Sequence, residues 1–364
     1  MISPARALLE AGPYALAQEE KRARLAPALE ALTRHHHAEC PAYRDVVDRV
    51  FGGLESVDFS RLESLPFLPV SMFKSRDLRS VPDDRVLKVL TSSGTTGQRV
   101  SRIALDAETS QVQSATLVKV AQHHLGRQRL PMVIVDHPGV TRERGSHSAR
   151  AAGILGMSQF GHRPFHALRD DMSLDVDGLA RYLEAAQGKR VLFFGFTFMV
   201  WEHFVRVIER EQVALPRVDG VLVHSGGWKK LEALAVDRAV FRERVRAATG
   251  VASVLDFYGM VEQVGSVYFE NELHHLHAPV VSEVIVRDPV TLEPVPDGTP
   301  GVIQVVSSLP TSYPGHSLLT EDLGVIVGAD LPGTALKGRC FDVLGRLPRA
   351  ELRGCSDTFV RSAA

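Results

Sequence analysis

Short apolar runs alternate with longer amphipathic segments through the middle of the chain. Four runs have the length and composition of buried strands: Met132–Asp136, Arg190–Gly195, Val221–Ser225 and Val254–Tyr258. Four segments have helical length and pattern: Ala107–Leu125, Ser173–Gly188 with Ser173 as its N-cap, Phe198–Gln212, and Lys230–Thr249, which stops at Gly250. This alternation is typical of an α/β fold with a largely parallel sheet. Because ligands bind beyond the carboxyl ends of such strands, the residues that follow them form the candidate site.

The sequence pattern changes after Val267. Short strand-like runs there are separated by Pro, Gly and Asp, as in the turn-rich segment from Asp288 to Gly298. We therefore predict a large domain over residues 1–337, which includes a β-rich subdomain at about 267–337. Residues 338–364 are too few to form a domain of their own, so we expect a short hinge and tail there.

Composition and charge exclude several classes of function. The 364 residues carry a formal net charge of −1, which gives no electrostatic support for nucleic acid as a partner. No apolar run approaches the ~20 residues of a membrane span, and charged residues interrupt the first 30 positions, where a signal peptide needs an apolar stretch. Three widely spaced cysteines, Cys40, Cys340 and Cys355, argue against a disulfide framework and indicate a reducing cytoplasm.

A loop of small residues, here called the glycine loop, occupies positions 91–97 and reads TSSGTTG. It lies between the apolar run Val86–Leu90 and a second strand-like run, Val100–Leu105. Gly94 and Gly97 permit positive φ, and the backbone N–H groups and hydroxyls of such a loop could surround an anion. A polyphosphate suits this loop, although a hairpin turn rich in Ser, Thr and Gly has the same composition. The Walker loop is excluded because no Lys follows the last glycine.

Three further motifs carry residue types that suit a nucleotide. Asp256 to Glu262 reads DFYGMVE, in which Tyr258 offers a ring for stacking on a base and Glu262 is an oxygen donor suited to Mg²⁺ shared with phosphate. Asp322, in LTEDLG, could accept hydrogen bonds from both ribose hydroxyls, and Arg346, after a glycine, suits phosphate or ribose. Each residue alone has a plainer interpretation as a surface or core residue, but four motifs in this order indicate an ATP site.

The histidines at positions 35–37 lie close to Cys40 at the end of a helical region, residues 3–39. His36 and Cys40 are four residues apart and could share a helix face as metal ligands. A structural zinc site needs four ligands and two are not visible, so a surface histidine cluster is the preferred interpretation.

The motifs occur in an order that resembles a known superfamily. The series SSGTTG, SGGW, DFYGMVE, LTEDLG and GR is similar to that of the adenylate-forming acyl- and aryl-CoA ligases. Within this superfamily the chain most resembles the acyl-protein synthetases of the bacterial luminescence fatty-acid reductase complex, the LuxE family. The most specific pieces are HSGGWKK at 224–230, YGMVEQ at 258–263, YPGHSLLTEDLG at 313–324 and RAELRGCS at 349–356. Residues 281–301 also resemble phenylacetate-CoA ligases. The resemblance implies an adenylate-forming N-terminal domain of layered α/β sheets with a β-rich subdomain.

The resemblance implies a role for each motif. The β- and γ-phosphates of ATP would be held by Ser92, Ser93, Gly94, Thr95, Thr96 and Gly97. The rest of the nucleotide would contact Gly226, Gly227, Asp256, Tyr258 and Gly259. Glu262 would ligate Mg²⁺, Asp322 would hold the ribose hydroxyls, and Arg346 would lie at the hinge and touch ribose or phosphate. The superfamily usually has Thr or Ser before this Glu; here Val261 stands there, a departure that acyl-protein synthetases share.

The superfamily's lid domain is expected to be absent or vestigial. Most members continue beyond the hinge Arg into a lid that supplies a Lys for adenylation, whereas 18 residues follow Arg346 here. Either another cation, such as Lys74, Lys229 or Lys230, replaces that Lys, or a partner protein completes the site.

Cys355 is the candidate acyl acceptor. It lies in RGCS, where Gly354 permits close approach and Arg353 could lower the thiol pKa. The resemblance implies the same role, because acyl-protein synthetases carry the acyl group on a Cys near the C-terminus. A tail cysteine without function is the alternative.

An apolar acid pocket is predicted at and after the RVLFFG run. Its candidate residues are Phe193, Phe194, Phe196, Phe198 and Trp201, together with His224. A stripe of core residues would look similar, so the sequence leaves open whether the acid is fatty or aryl.

The predicted function is that of an acid–thiol ligase with ATP and Mg²⁺ as cofactors. It would form acyl-AMP from a carboxylic acid and then an acyl thioester on Cys355, for transfer to an acyl-protein reductase. One alternative is a ligase that passes an acyl or aryl group to CoA or to a carrier-protein phosphopantetheine. The other is a non-catalytic subunit of a reductase complex.

Overall fold

The computed structural model describes residues 4–91, 100–142, 149–228 and 235–347. In chain order the strands are β1 (Leu68–Pro69), β2 (Lys88–Thr91), β3 (Arg102–Leu105), β4 (Leu130–Ile134), β5 (Gly161–His166), β6 (Val191–Phe196), β7 (Gly220–Ser225), β8 (Ser253–Tyr258), β9 (Tyr268–Phe269), β10 (Leu276–His277), β11 (Ser282–Arg287), β12 (Gly301–Ser307), β13 (Ser317–Ala329) and β14 (Arg339–Arg346). The α-helices are α1 (Pro4–Glu10), α2 (Gln18–Glu39), α3 (Pro41–Val50), α4 (Ala107–Leu125), α5 (Gly139–Arg142), α6 (Ala149–Ser158), α7 (Val176–Ala185), α8 (Thr197–Val200), α9 (Arg206–Arg210) and α10 (Arg238–Thr249). None of the described helices is both long enough and apolar enough to cross a membrane.

A largely parallel sheet occupies the middle of the chain, as predicted. Its strand order is β5-β4-β6-β7-β8-β9, and every neighbouring pair is parallel except β8 with β9. Apolar residues on both of its faces are buried, one face against α7, α9 and α10 and the other against α4 and α6. The continuous apolar runs of β4, β6 and β7 follow from this burial on both sides. The α/β prediction is confirmed.

Helix α4 has the predicted bounds. The Asp106 side chain accepts a hydrogen bond from the backbone N–H of Thr109 and so caps the first turn, and Gly126 ends the helix with φ 85°. The prediction of Ser173 as the cap of the next helix is wrong. Asp175 caps α7 instead by accepting from the backbone N–H of Gly178, while the Ser173 hydroxyl donates to Asp171 in the preceding turn.

Two other helices differ from the predicted bounds. The segment predicted as a helix at 198–212 consists of α8, a π-helical turn at Trp201–Val205, and α9, and it follows β6 with no intervening loop. Helix α10 begins at Arg238 rather than Lys230, because the Asp237 side chain caps it by accepting from the backbone N–H of Ala239. It ends before Gly250, which has φ 78°, as predicted.

The second six-stranded sheet is built from residues after 267 and from β1. Its order is β10-β14-β13-β12-β11, the main pairs are antiparallel, and β1 pairs in parallel with β13. The predicted β-rich region is therefore present. Strand β14 contains Gly345 and Arg346, so the residues expected at a hinge are paired in this sheet, with Arg346 opposite Asp322.

The interpretation of a surface histidine cluster is wrong for His36. Its ring is fully buried, with Nδ1 2.7 Å from the Ser80 hydroxyl and Nε2 3.1 Å from the Pro310 carbonyl oxygen. The ring also stacks on His316, with 4.9 Å between centroids. Cys40 is fully buried in the core as well. Because both nitrogens of His36 have hydrogen-bond partners, the pair is not a metal site; His36 joins α2 to the loop before β13.

Candidate functional site

The parallel strands end together at one edge of their sheet. Phe196 of β6 is in register with Ser225 of β7, and Ser225 is in register with Phe257 of β8. The segments that leave this edge contain several predicted site residues: Gly226, Gly227, Tyr258, Gly259 and Glu262. Gly226 has φ 84°, which a glycine adopts easily, so the chain can turn sharply beyond β7.

Glu262 lies in a short 3₁₀ turn just beyond β8 and is 6% exposed. Burial raises the pKa of its carboxyl group, which a hydrogen bond from Ser101 and the positive charge of Lys74 oppose. The turn is fixed by the next residue, because the Gln263 side-chain amide donates to the carbonyl oxygens of Val305 and Gly315. The fold thus keeps this carboxylate buried, where the Ser101 hydroxyl and the charge of the exposed Lys74 both favour its ionised form.

Gly315, in the loop before β13, packs directly on this turn. A side-chain carbon at Gly315 would lie 2.8 Å from the backbone oxygen of Glu262. The loop that carries the YPGH sequence can therefore approach the site only because this residue is glycine.

The glycine-loop residues Ser92–Gly97 lie outside the described residues, but both of their flanks are described. Thr91 ends β2 and pairs with Arg102 at the start of β3, in an antiparallel hairpin. Ser101, just before β3, is fully buried, and its hydroxyl opposes the rise in the pKa of the Glu262 carboxyl group. The hairpin that carries the loop is therefore attached next to the Glu262 carboxylate.

Asp322, Tyr258 and Arg346 form a second group close to this edge. The Tyr258 hydroxyl donates to Oδ2 of Asp322 over 2.7 Å, and Arg346 Nε lies 3.6 Å from Oδ1 of the same carboxylate. Burial and the neighbouring Asp322 charge hold the pKa of Tyr258 well above its usual range, so the phenol stays protonated and donates. The structure brings these three predicted residues together from strands β8, β13 and β14.

Asp256 and His224 face each other on neighbouring strands, with 3.6 Å between Oδ1 and Nδ1. Burial, with the positive charges of Arg242 and Arg238, lowers the pKa of His224 to about 3, so the imidazole is neutral. Its Nδ1 lies 3.0 Å from the Thr197 hydroxyl. Burial and then the Glu270 carboxylate raise the pKa of Asp256 to about 7, although a quarter of its side chain remains open to solvent.

A buried ion pair, not expected from the sequence, supports Asp256. Arg242 donates to Glu270 over 2.6 Å, and the other Glu270 oxygen accepts from the backbone N–H of Asp256 over 3.1 Å. Both side chains are less than a tenth exposed. Thr197 and Ser101 were also not identified from the sequence. Of these two, Ser101 could have been identified, because it is a hydroxyl residue that comes just after the glycine loop.

The predicted pocket aromatics occupy different environments. Phe194 is fully buried in the core between the parallel sheet and α6. Phe193 and Trp201, which lies in the π turn, are buried in the core on the opposite face of the sheet. Phe196 and Phe198 are partly buried. Only Phe196 stands at the strand-end edge itself, at the last position of β6.

The remaining candidates fall into two groups. Cys355, Lys229 and Lys230 lie outside the described residues. Cys340 and Cys40 are buried free thiols, in agreement with the packing role expected for them. Cys340 lies 3.3 Å from His277 Nδ1 and accepts from the Asn271 amide over 3.3 Å.

A family model described as "Acyl-protein synthetase, LuxE" matches residues 3–363. A long-chain-fatty-acid–luciferin-component ligase of Vibrio harveyi is 23% identical over 352 residues, which cover 94% of this chain and 89% of the relative. A ligase with the same description from Aliivibrio fischeri is 23% identical over 347 residues, covering 93% and 88%.

Solved structures of 2-hydroxyisobutyryl-CoA ligase share the fold. An open conformation in complex with 2-HIB-AMP and CoA matches with a TM-score of 0.66 at 17% identity, covering 92% of this chain and 76% of the other. A postadenylation state with 2-HIB-AMP matches with a TM-score of 0.68 at 16% identity, covering 93% and 70%. The predicted adenylate-forming fold is confirmed.

Proposed function

Because the chain belongs to the LuxE acyl-protein synthetase family, we propose that it uses ATP to convert a carboxylic acid to acyl-AMP and then transfers the acyl group to a thiol. One observation carries the proposal. Glu262 lies just beyond β8, where Ser101, at the start of the second arm of the glycine-loop hairpin, and the charge of Lys74 act on its pKa. Asp322 is hydrogen-bonded by Tyr258, the last residue of β8, and lies near Arg346. A nucleotide needs these residue types at its phosphates and its ribose.

The ribose would bind at Asp322. Its carboxylate is held by the Tyr258 hydroxyl on one oxygen and lies near Arg346 on the other, so its orientation is fixed before the nucleotide arrives. A carboxylate has about four lone-pair positions and can accept two ribose hydroxyls in addition. The base would lie toward Gly226, Gly227 and Asp256.

Glu262 would hold Mg²⁺ together with the phosphates. Within the described residues, no group of three or more His, Cys, Asp or Glu side chains could hold a metal by itself. Mg²⁺ is commonly bound by one or two carboxylates plus substrate phosphate and water, which fits this single buried carboxylate. When bound, the ion would supply positive charge beside the phosphates.

In the first step a carboxylate oxygen of the acid attacks the α-phosphorus, and pyrophosphate leaves. Orientation of the two reactants and stabilisation of charge on the phosphoryl oxygens supply most of the rate in such a transfer. Lys74 has an exposed side chain, and its positive charge opposes the rise that burial causes in the pKa of Glu262. We assign it the charge-stabilising role.

In the second step a thiolate attacks the carbonyl carbon of acyl-AMP, a thioester forms, and AMP leaves. We propose Cys355 as this nucleophile on the basis of its RGCS context, and an acyl-protein reductase as the partner that receives the acyl group. We place the reaction in the cytoplasm, where Cys40 and Cys340 would stay reduced.

The first step is tested by acid-dependent pyrophosphate release. We expect release with at least one acid from a panel of aliphatic and aryl carboxylates, in the presence of MgATP. Glu262→Gln should lower kcat/KM by about 100-fold, since it removes one charge from the phosphate site. Glu293→Gln, an exposed carboxylate between β11 and β12, is the control and should change nothing. If no carboxylate supports release, a non-catalytic role replaces this proposal.

The second step is tested by the mass of the intact protein after incubation with acid and ATP. A hydroxylamine-labile acyl adduct should appear in the native protein and in Cys340→Ser, and should be absent from Cys355→Ser. If Cys355→Ser still delivers the acyl group to CoA or to a carrier protein at the native rate, the acceptor is external.

A further inference from the structure

The ring of Phe196 lies between two glycines at the end of β6. A side-chain carbon at Gly153, in α6, would stand 3.0 Å from Cζ of this ring, and one at Gly226 would stand 3.2 Å from Cδ1. Carbon atoms in favourable contact are about 3.5–4.0 Å apart, so the ring occupies the space that each glycine leaves open. Gly226 also needs its positive φ. Gly153 has no such backbone reason and lies in a helix, where glycine costs about 1 kcal/mol relative to alanine.

The Phe196 ring therefore fills the gap between α6 and Gly226, which follows β7. Behind it, between α6 and the sheet, is a cluster of apolar side chains that are all less than 5% exposed: Ile154, Met157, Leu192 and Phe194. Phe194 contacts Phe196 edge-to-face, with 6.1 Å between ring centroids. An apolar tail that enters from the strand ends on this side would meet Phe196 before any of these residues.

This inference rests on the proposed acid activation and concerns its substrate. We propose that Phe196 closes the acid pocket and restricts the enzyme to acids with compact apolar tails, either a short chain or a single ring. The two bacterial relatives are named for long-chain acids. In this chain the Phe196 ring fills the space beside Gly153 of α6 and Gly226 beyond β7, which would leave a long tail no room on this side of the sheet.

The test is the chain-length profile of pyrophosphate release. The panel is the straight-chain acids from butanoate to hexadecanoate, plus benzoate. For the native protein we expect the highest kcat/KM with an acid of octanoate length or shorter, or with benzoate, and a fall of tenfold or more beyond that limit. In Phe196→Ala the longest accepted acid should be several carbons longer, with kcat/KM for those acids raised about tenfold or more, since each accommodated methylene is worth roughly that factor. Phe196→Leu should shift the limit less.

Gly153 and Gly156 provide a matched pair on one helix. A methyl group at Gly153 would press on Phe196, whereas one at Gly156 would meet no atom within 4 Å. Both Gly→Ala changes add the same helix propensity. Gly153→Ala should therefore lower kcat/KM for the longest accepted acid, and Gly156→Ala should leave the profile unchanged.

The outcomes separate this inference from the proposed function. Absence of release with every acid would overturn the proposed function itself. Release that is best with hexadecanoate in the native protein would overturn only the inference. The inference would also be overturned if the profile were unchanged in Phe196→Ala and Phe196→Leu, with thermal unfolding showing that both variants are folded. A shift of the profile in Gly156→Ala equal to that in Gly153→Ala would overturn it too.

Discussion

Glu262 is a carboxylate that the fold keeps buried. Its burial raises the carboxyl pKa, and the Ser101 hydroxyl and the Lys74 charge counteract that rise. A buried carboxylate is a poor arrangement for stability, because desolvation opposes its charge. It is a good one for a site that must hold a cation and phosphate at the same place.

Lys74→Ala should lower kcat/KM for acid-dependent pyrophosphate release by about 100-fold, because it removes a cation from the proposed phosphate site. The midpoint of thermal unfolding should hardly change, since the Lys74 side chain is exposed. Lys88→Ala, an exposed lysine on β2, is the control for lost surface charge. Equal activity of the two variants would remove Lys74 from the mechanism.

Tyr258→Phe should lower the free energy of unfolding by about 1–3 kcal/mol, because it removes a hydrogen bond to the Asp322 carboxylate. It should also raise KM for ATP several-fold, since Asp322 loses its fixed orientation. Tyr182→Phe is the control: the Tyr182 hydroxyl donates to the backbone carbonyl oxygen of Arg163 and accepts from the backbone N–H of Met132, at the other end of the sheet. That variant should lose stability without a change in KM. Urea unfolding and initial-rate kinetics measure both quantities.

At the scale of the elements, one buried contact joins the N-terminal helices to the loop that supports the site. His36 of α2 stacks on His316, and Nε2 of His316 lies 3.0 Å from the Thr33 hydroxyl and 3.3 Å from the Tyr43 hydroxyl. The same loop contains Gly315, which packs on the Glu262 turn. Helices α2 and α3 therefore support this loop through their contacts with His316.

This histidine pair should make the protein sensitive to acid. Burial lowers the pKa of His316 to about 3, and burial with the charges of His316 and His35 holds the pKa of His36 well below 6.5. The unfolded chain takes up these protons near pH 6.5, so it binds more protons than the folded chain below that pH. Stability is thus complete above about pH 6.5 and falls as the pH drops toward 3.

The measurement is the urea midpoint between pH 7 and pH 4.5. The loss of stability over this range should be smaller in His316→Gln than in the native protein, whatever the variant's stability at pH 7. His37→Gln, which changes a partly exposed histidine next to His36 on α2, is the control substitution. An identical slope in His316→Gln and the native protein contradicts the assignment.

At the scale of the whole molecule, the two large sheets are joined by ionic contacts close to the site. Arg238, at the start of α10, donates to Oδ1 of Asp342 over 3.0 Å and to the Val343 carbonyl over 3.1 Å. His275 Nδ1 lies 2.9 Å from Oδ2 of the same carboxylate. Strand β14, which carries Arg346, is thereby tied to the helix that supports Asp256.

A double-mutant cycle measures this connection. Arg238→Ala and Asp342→Ala should show a coupling free energy of about 0.5–1 kcal/mol, as expected of a partly exposed pair, and it should decrease at high salt. The exposed pair Arg24 and Glu20, within α2, is the reference and should couple by only about 0.3–0.5 kcal/mol. Additive effects of the two changes would mean that the contact does not hold the sheets together.

The sequence by itself determined the strands of the parallel sheet and the order of the motifs. Runs such as 191–196 and 220–225 are largely apolar because both faces of a central strand are covered. Such a run can be recognised from the residues of the segment alone. Tyr258, Glu262 and Asp322 were identified in the same way, from residue types that suit a nucleotide and from their places after or within strands. The family resemblance then gave these residues their roles.

Tertiary structure alone decided which distant side chains meet. Three features were not apparent in any local pattern: the effect of Ser101 and Lys74 on the Glu262 pKa, the ion pair of Arg242 with Glu270 that supports Asp256, and the burial of His36. The physical reason is that periodicity depends on neighbours along the chain, whereas these contacts depend on strand order, register and the packing of helices against sheets. Strand order, register and packing are established only in the complete fold, in which the apolar surfaces of all the elements are buried together.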